Sequence, residues 1–239
     1  MCMLVRFPRL YTLVCLVVLV LIANSNGAVI QNGGFEENFV PGTYLTFAPG
    51  QQLGSSGWTV IGPSGTEVTL IKTTYNETFS GYSLFQSQEG QNSLDITGLG
   101  NRGPNVGITQ NVQTVVGTSY LLSFYVGRIT PTGGPSAPYA HPATIDLKID
   151  SGSRISFTNA DITEGMNNWK RFSYNFTAIN TMTTISFLNA TQADTNQAGL
   201  DNISIASSGN TVPEPACCWL VCMGVLGLAK RGKKRCQMA

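Results

Sequence analysis

Between residues 28 and 211 the chain holds one histidine, His141, no cysteine and twelve acidic side chains. A Cys-His pair is therefore ruled out there, and a Ser-His-Asp arrangement would have to use His141, which lies in the Pro-rich stretch 129–142. No Gly-x-Ser-x-Gly elbow, Walker loop or His-Glu-x-x-His zinc motif occurs. Twelve acids could place two carboxylates about 5 to 9 Å apart, as glycoside hydrolysis requires, but no pattern marks such a pair. The inventory points away from an enzyme. Aromatic side chains are the other candidates: Tyr75, Phe79, Tyr82 and Phe85 are spread along the polar stretch 73–91, and Tyr139 stands beside the histidine. Rings in such loops either stack on sugars or plug the end of a β-sandwich, and both uses stay open. Arg102, with neighbouring Asn, Gln and Asp, is the candidate for bonding to sugar hydroxyls.

Both ends of the chain differ from this middle. Arg6 and Arg9 precede an apolar run over 10–23, and small residues follow at Ser25, Gly27 and Ala28. The pattern predicts a secretory signal peptide over 1–27, an uncleaved N-terminal anchor being the alternative. At the other end Val212-Pro213-Glu214-Pro215 leads into an uncharged apolar or small segment, 216–229, and then into Lys230, Arg231, Lys233, Lys234 and Arg235. The two prolines lack amide donors and keep Glu214 on an extended, non-helical stretch that an enzyme could grip. Cations after the segment would stay on the cytoplasmic side of a bilayer. A segment shorter than the roughly 20 residues of a full span suits a temporary anchor.

This order of short motif, apolar segment and basic end resembles the PEP-CTERM sorting signal of Gram-negative bacteria. The resemblance implies transient residence in the inner membrane, recognition of Val212, Pro213, Glu214 and Pro215 by an exosortase, and release to the cell surface or extracellular matrix.

Composition changes once the ends are set aside. Seven basic residues face twelve acidic ones over 28–211, although the whole chain carries +1. A net acidic domain is a poor partner for nucleic acid. All six cysteines lie in the terminal segments, so disulfides cannot hold the exported part. Its stability must come from burial, for which about 180 residues suffice in one domain. The expected division is a β-sandwich over 28–206, a linker with the motif over 207–215, the membrane segment over 216–229 and a basic tail over 230–239. Four Asn-x-Ser/Thr triplets, at Asn76, Asn175, Asn189 and Asn202, are chance products of a polar surface.

Short strands must position the loops. Alternation and turn residues predict strands at 28–30, 58–61, 67–70, 90–96, 106–112, 120–126, 143–150, 154–157, 169–176, 183–187 and 200–205, with a long loop over 40–57. The run 120–126 is apolar on both faces and reads as a central strand, while 143–150 places Ile145, Leu147 and Ile149 inward. No amphipathic helix appears between the termini. The expected class is all-β, a sandwich with a jelly-roll plan.

A second resemblance rests on Asn32-Gly33-Gly34-Phe35-Glu36, Gly57-Trp58-Thr59-Val60, Ser93 to Gly98, Ile108-Thr109-Gln110, Gly117 to Tyr120, Trp169 and Leu200-Asp201-Asn202-Ile203. In that order they resemble the galactose-binding-like jelly rolls, and among them the bacterial choice-of-anchor C domains. The likeness implies binding of extracellular polysaccharide or cell-wall glycan. It also implies a structural calcium joining the first and last strands through Glu36 and Asp201, a chemistry carboxylates and turn carbonyls can supply. The alternatives are a solvated Glu36 with an Asp201 that bonds to nearby amides, and a structural matrix protein that associates through its sheet edges without a soluble ligand.

Overall fold

The computed structural model describes residues 27–208 apart from 56, 79–80, 101–102 and 194–196. The signal peptide, the sorting motif Val212 to Pro215, the membrane segment and the basic tail lie outside the described residues, as does Arg102. No helix occurs among the described residues.

Fourteen strands form: β1 (Tyr44–Phe47), β2 (Gln52–Leu53), β3 (Trp58–Ile61), β4 (Val68–Lys72), β5 (Asn76–Glu77), β6 (Ser83–Leu84), β7 (Asn92–Asp95), β8 (Gly107–Gln113), β9 (Ser119–Thr130), β10 (Ala143–Ile149), β11 (Ile155–Asn159), β12 (Met166–Thr177), β13 (Met182–Asn189) and β14 (Gly199–Ser207). One sheet has the order β1-β4-β7-β14-β9-β12-β6-β5 and the other β11-β10-β13-β8-β3-β2. Every strand pair is antiparallel except β6 with β12, which meet at Leu84 and Met166 alone.

The sandwich follows from which residues face inward. Leu70, Leu94, Leu200 and Val126 stand side by side across four strands of the larger sheet, all buried. They meet Ile108, Ile145, Leu147, Ile185 and Phe187 of the smaller sheet in one core. Each such side chain is worth roughly 1.5–3 kcal/mol on burial. Phe187 sets its edge against Phe124 at 4.9 Å and against Trp58 at 6.0 Å between ring centres, arrangements aromatic quadrupoles favour. The indole of Trp58 donates to the carbonyl of Asn32, and Phe35 packs beside it.

The long apolar run becomes β9, flanked by β14 and β12, and every residue from Val126 to Thr130 is buried. Inward Ile145 and Leu147 of β10 are also buried as expected. Two expectations fail. Residues 28–30 form no strand; Gln31 instead exchanges two hydrogen bonds with the Gln110 side chain, and Gly33 accepts from the Ile203 amide. Within the expected loop 40–57 lie β1 and β2, edge strands of four and two residues. Such pieces bury too few side chains to leave an alternating pattern, so pairing with β4 and β3 defines them.

Candidate functional site

The outer face of the larger sheet carries the chemistry. One residue along from the inward leucines, the register aligns Thr69, Asp95, Gly199, Gly127 and Trp169 across β4, β7, β14, β9 and β12. The Trp169 ring lies across the two glycines: a Cβ on Gly127 or on Gly199 would come within 2.7 Å of a ring carbon. No side chain larger than glycine fits beneath it at either position. The indole N–H donates to the Gln86 carbonyl at 2.8 Å, which pins the ring's orientation. Trp169 is partly exposed and belongs to neither of the apolar clusters of the described residues. Asn167, Arg171, Ser173 and Asn175 share its side of β12, and the last three are exposed. Tyr125 and Ser123 face Arg171 and Ser173 from β9. Among the described residues the Arg171 guanidinium reaches only the Ser123 hydroxyl, at 3.4 Å. Ion pairs among the described residues join Arg154 to Asp146 and Lys170 to Asp161, and Arg171 takes part in neither. The result is a flat ring on a hydroxyl-rich sheet face, with a cation two residues along the strand.

In the middle of the same row Asp95 is almost wholly buried. Burial pushes its carboxyl up to about 7, against the opposing pull of hydrogen bonds from the Thr97 hydroxyl and amide and the Ala198 amide, all to Oδ1. Above the sheet a small second core gathers Ile71, Phe85, Ile129 and Tyr139, with Tyr75 against it. The Tyr139 hydroxyl donates to Glu77 at 3.0 Å, and burial, with the Glu77 charge, holds its phenol above the usual range.

Glu36 and Asp201 lie close enough for their charges to interact, each hydrogen-bonded to amides of the segment 88–92. Glu36 Oε1 accepts from the amides of Gln91 and Asn92, both at 2.9 Å. Asp201 Oδ2 accepts from Gln88 and Glu89, and Oδ1 from Asn202. Burial first, and then the Glu36 charge, raise the Asp201 carboxyl to about 7. A cleft of about 300 Å³ opens beside them, lined by Gly33, Gly34, Glu36, Glu89, Gly90, Asn202 and Ile203. For calcium the fit is partial. Glu36 Oε1 and Asp201 Oδ2 each already accept two amide hydrogen bonds, which leaves Glu36 Oε2 and one lone pair of Asp201 Oδ1, and among the described residues no group of three or more His, Cys, Asp or Glu is arranged to hold a metal ion. Two carboxylates would need several carbonyl oxygens to complete a calcium shell.

The loop aromatics go to packing. Phe85 and Tyr139 are buried and Tyr75 is partly so; Phe85 lies 5.1 Å from Tyr75 and 6.2 Å from Tyr139 between ring centres. For Phe85 and Tyr139 the plugging alternative holds and the stacking one is corrected, because Ile71 and Ile129 leave apolar surface on the outer face that these rings cover; Tyr75 packs half-buried against them. Tyr82 is exposed. Trp169 was expected to mark a strand and to carry part of the jelly-roll resemblance, with no binding role. Its parity was the available signal, because 167, 171, 173 and 175 are polar while Phe172, Tyr174 and Phe176 take the other face.

The profile of the HpiC1-like family, described as HpiC1 cyclase, matches residues 27–206, and the chain belongs to that family. No curated protein matches the chain in sequence. Similar solved structures include TmCBM61 in complex with beta-1,4-galactotriose, at 15% identity over 75% of this chain and 97% of that one, with a TM-score of 0.44. They also include the CBM22-1 xylan-binding domain of Paenibacillus barcinonensis Xyn10C, at 18% identity over 70% and 95%, with a TM-score of 0.38. The arabinose-bound MgGH51 α-L-arabinofuranosidase is similar at 15% identity over 75% of this chain and 26% of that one, with a TM-score of 0.42. At such values the resemblance concerns the β-sandwich alone.

Proposed function

We propose that this member of the HpiC1-like family is an exported, non-enzymatic β-sandwich that binds extracellular polysaccharide, with Trp169 as the platform for a sugar ring. The carrying observation is the partly exposed indole laid flat over Gly127 and Gly199 on an otherwise polar sheet face. An indole face packs against the C–H side of a pyranose while surrounding hydroxyl and amide groups bond to its edge. The non-enzymatic part is supported by Asp95. Although its carboxyl titrates near neutrality, it is sealed in the fold, and its Oδ1 already accepts three hydrogen bonds.

The sorting features read in the sequence support a binding role at the cell surface or in the matrix, after transient contact with an exosortase and the inner membrane. A calcium at Glu36 and Asp201 would tie the N-terminal segment to β14, with no part in ligand contact.

Affinity electrophoresis of the full chain, in mild nonionic detergent, through gels containing polysaccharides tests the proposal. Trp169→Ala is expected to abolish retardation, while Ile179→Ala, in the exposed turn beyond the far end of β12, leaves it. Unchanged retardation of the Trp169 variant by a polysaccharide that retards the parent would remove the platform.

A further inference from the structure

We infer that the glycan taken by this face is acidic, a polysaccharide built of uronate pyranoses, with Arg171 pairing with a ring carboxylate. The inference rests on the proposal that Trp169 stacks a sugar, and it adds the substrate class. Three observations carry it. Arg171 lies on the same side of β12 as Trp169 and two residues along, so the two are roughly 7 Å apart at the backbone. That span lets one stacked pyranose, or its neighbour in the chain, present a substituent to the guanidinium. The guanidinium is exposed and, among the described residues, takes part in no ion pair and has only a long contact to Ser123 Oγ at 3.4 Å. Finally, most other cations of the described part are occupied: Arg154 with Asp146 and Asn105, Lys170 with Asp161, Arg128 with the Ala160 carbonyl, and Lys72 with the Val40 carbonyl, while Lys148 stands on β10 of the smaller sheet.

Neutral sugars need no cation here, because the face already offers Ser173, Tyr125 and Asn175 for hydroxyl groups. A carboxylate is what a planar guanidinium recognises best, through two parallel N–H···O bonds. The domain is net acidic, with seven basic against twelve acidic residues over 28–211. Long-range attraction therefore does not draw an anionic polymer in, and recognition has to be local to this one fork.

The test compares polygalacturonate and alginate with their methyl esters, which keep the rings and lose the charge, using the full chain in mild nonionic detergent. The parent is expected to bind at least one acid form about tenfold more tightly than its ester, the usual scale for one charge-assisted contact. Arg171→Gln should erase that difference and leave binding of the ester as it was. Trp169→Ala should lose both. Equal binding of acid and ester by the parent, or an Arg171→Gln variant that still prefers the acid, overturns the acidic class and leaves the platform standing. Undiminished binding by Trp169→Ala overturns the platform itself. Unchanged thermal unfolding of Arg171→Gln, expected of an exposed side chain, separates lost recognition from lost folding.

Discussion

Replacing Asp95 by asparagine keeps the side chain's shape and an acceptor for Thr97 and Ala198 while removing the charge. The folded carboxyl holds its proton to about pH 7, because burial outweighs its three hydrogen bonds, whereas the unfolded residue releases it at the model-peptide value of 3.8. Folding therefore retains a proton that the unfolded chain gives up between those values, and stability falls as pH rises through that window. At about 1.4 kcal/mol per pH unit, a gap of ~3 units costs the parent about 4 kcal/mol, fully developed above pH 7. Below pH 3.8 both forms are neutral and the two proteins should be equally stable. Urea unfolding followed by tryptophan fluorescence at pH 4, 6 and 8 reads the difference. Asp95→Asn should match the parent at pH 4 and exceed it by up to about 4 kcal/mol at pH 8. Asp201 titrates near the same value, so the parent's pH slope should be lessened in the variant without vanishing. An asparagine variant no more stable than the parent at pH 8, or a difference independent of pH, would refute the assignment of a buried, proton-holding Asp95.

Calcium should raise the unfolding midpoint if Glu36 and Asp201 hold it, by about 2.7 kcal/mol at a hundredfold excess over its dissociation constant. Glu36→Gln should cancel that response, and a parent whose unfolding ignores both calcium and chelator would leave the corner held by its amide hydrogen bonds alone. Intact mass of the protein from its host's cell surface should show loss of residues beyond about 215, and Glu214→Ala should retain them; a full-length parent in the inner membrane would defeat the sorting proposal.

The sequence by itself determined the β class, the inward set and the central strand, because period-two alternation is local and survives without knowledge of partners. Ile145 and Leu147, the doubly apolar run in β9, and Trp58 were all legible in this way. Glu36 and Asp201 came forward as a pair only through the jelly-roll resemblance, since nothing in the residue pattern links two positions so far apart in the chain. What the sequence could not order was the outer face. Whether Phe85 and Tyr139 meet a sugar or each other depends on how residues 73–91 fold back over Ile71 and Ile129, a contact between segments some sixty residues apart. The same holds for Trp169, whose wet-face parity was readable but whose flat seat was not. That seat exists only because two glycines from β9 and β14 arrive beside it in register, and strand register is set by the burial of the opposite face.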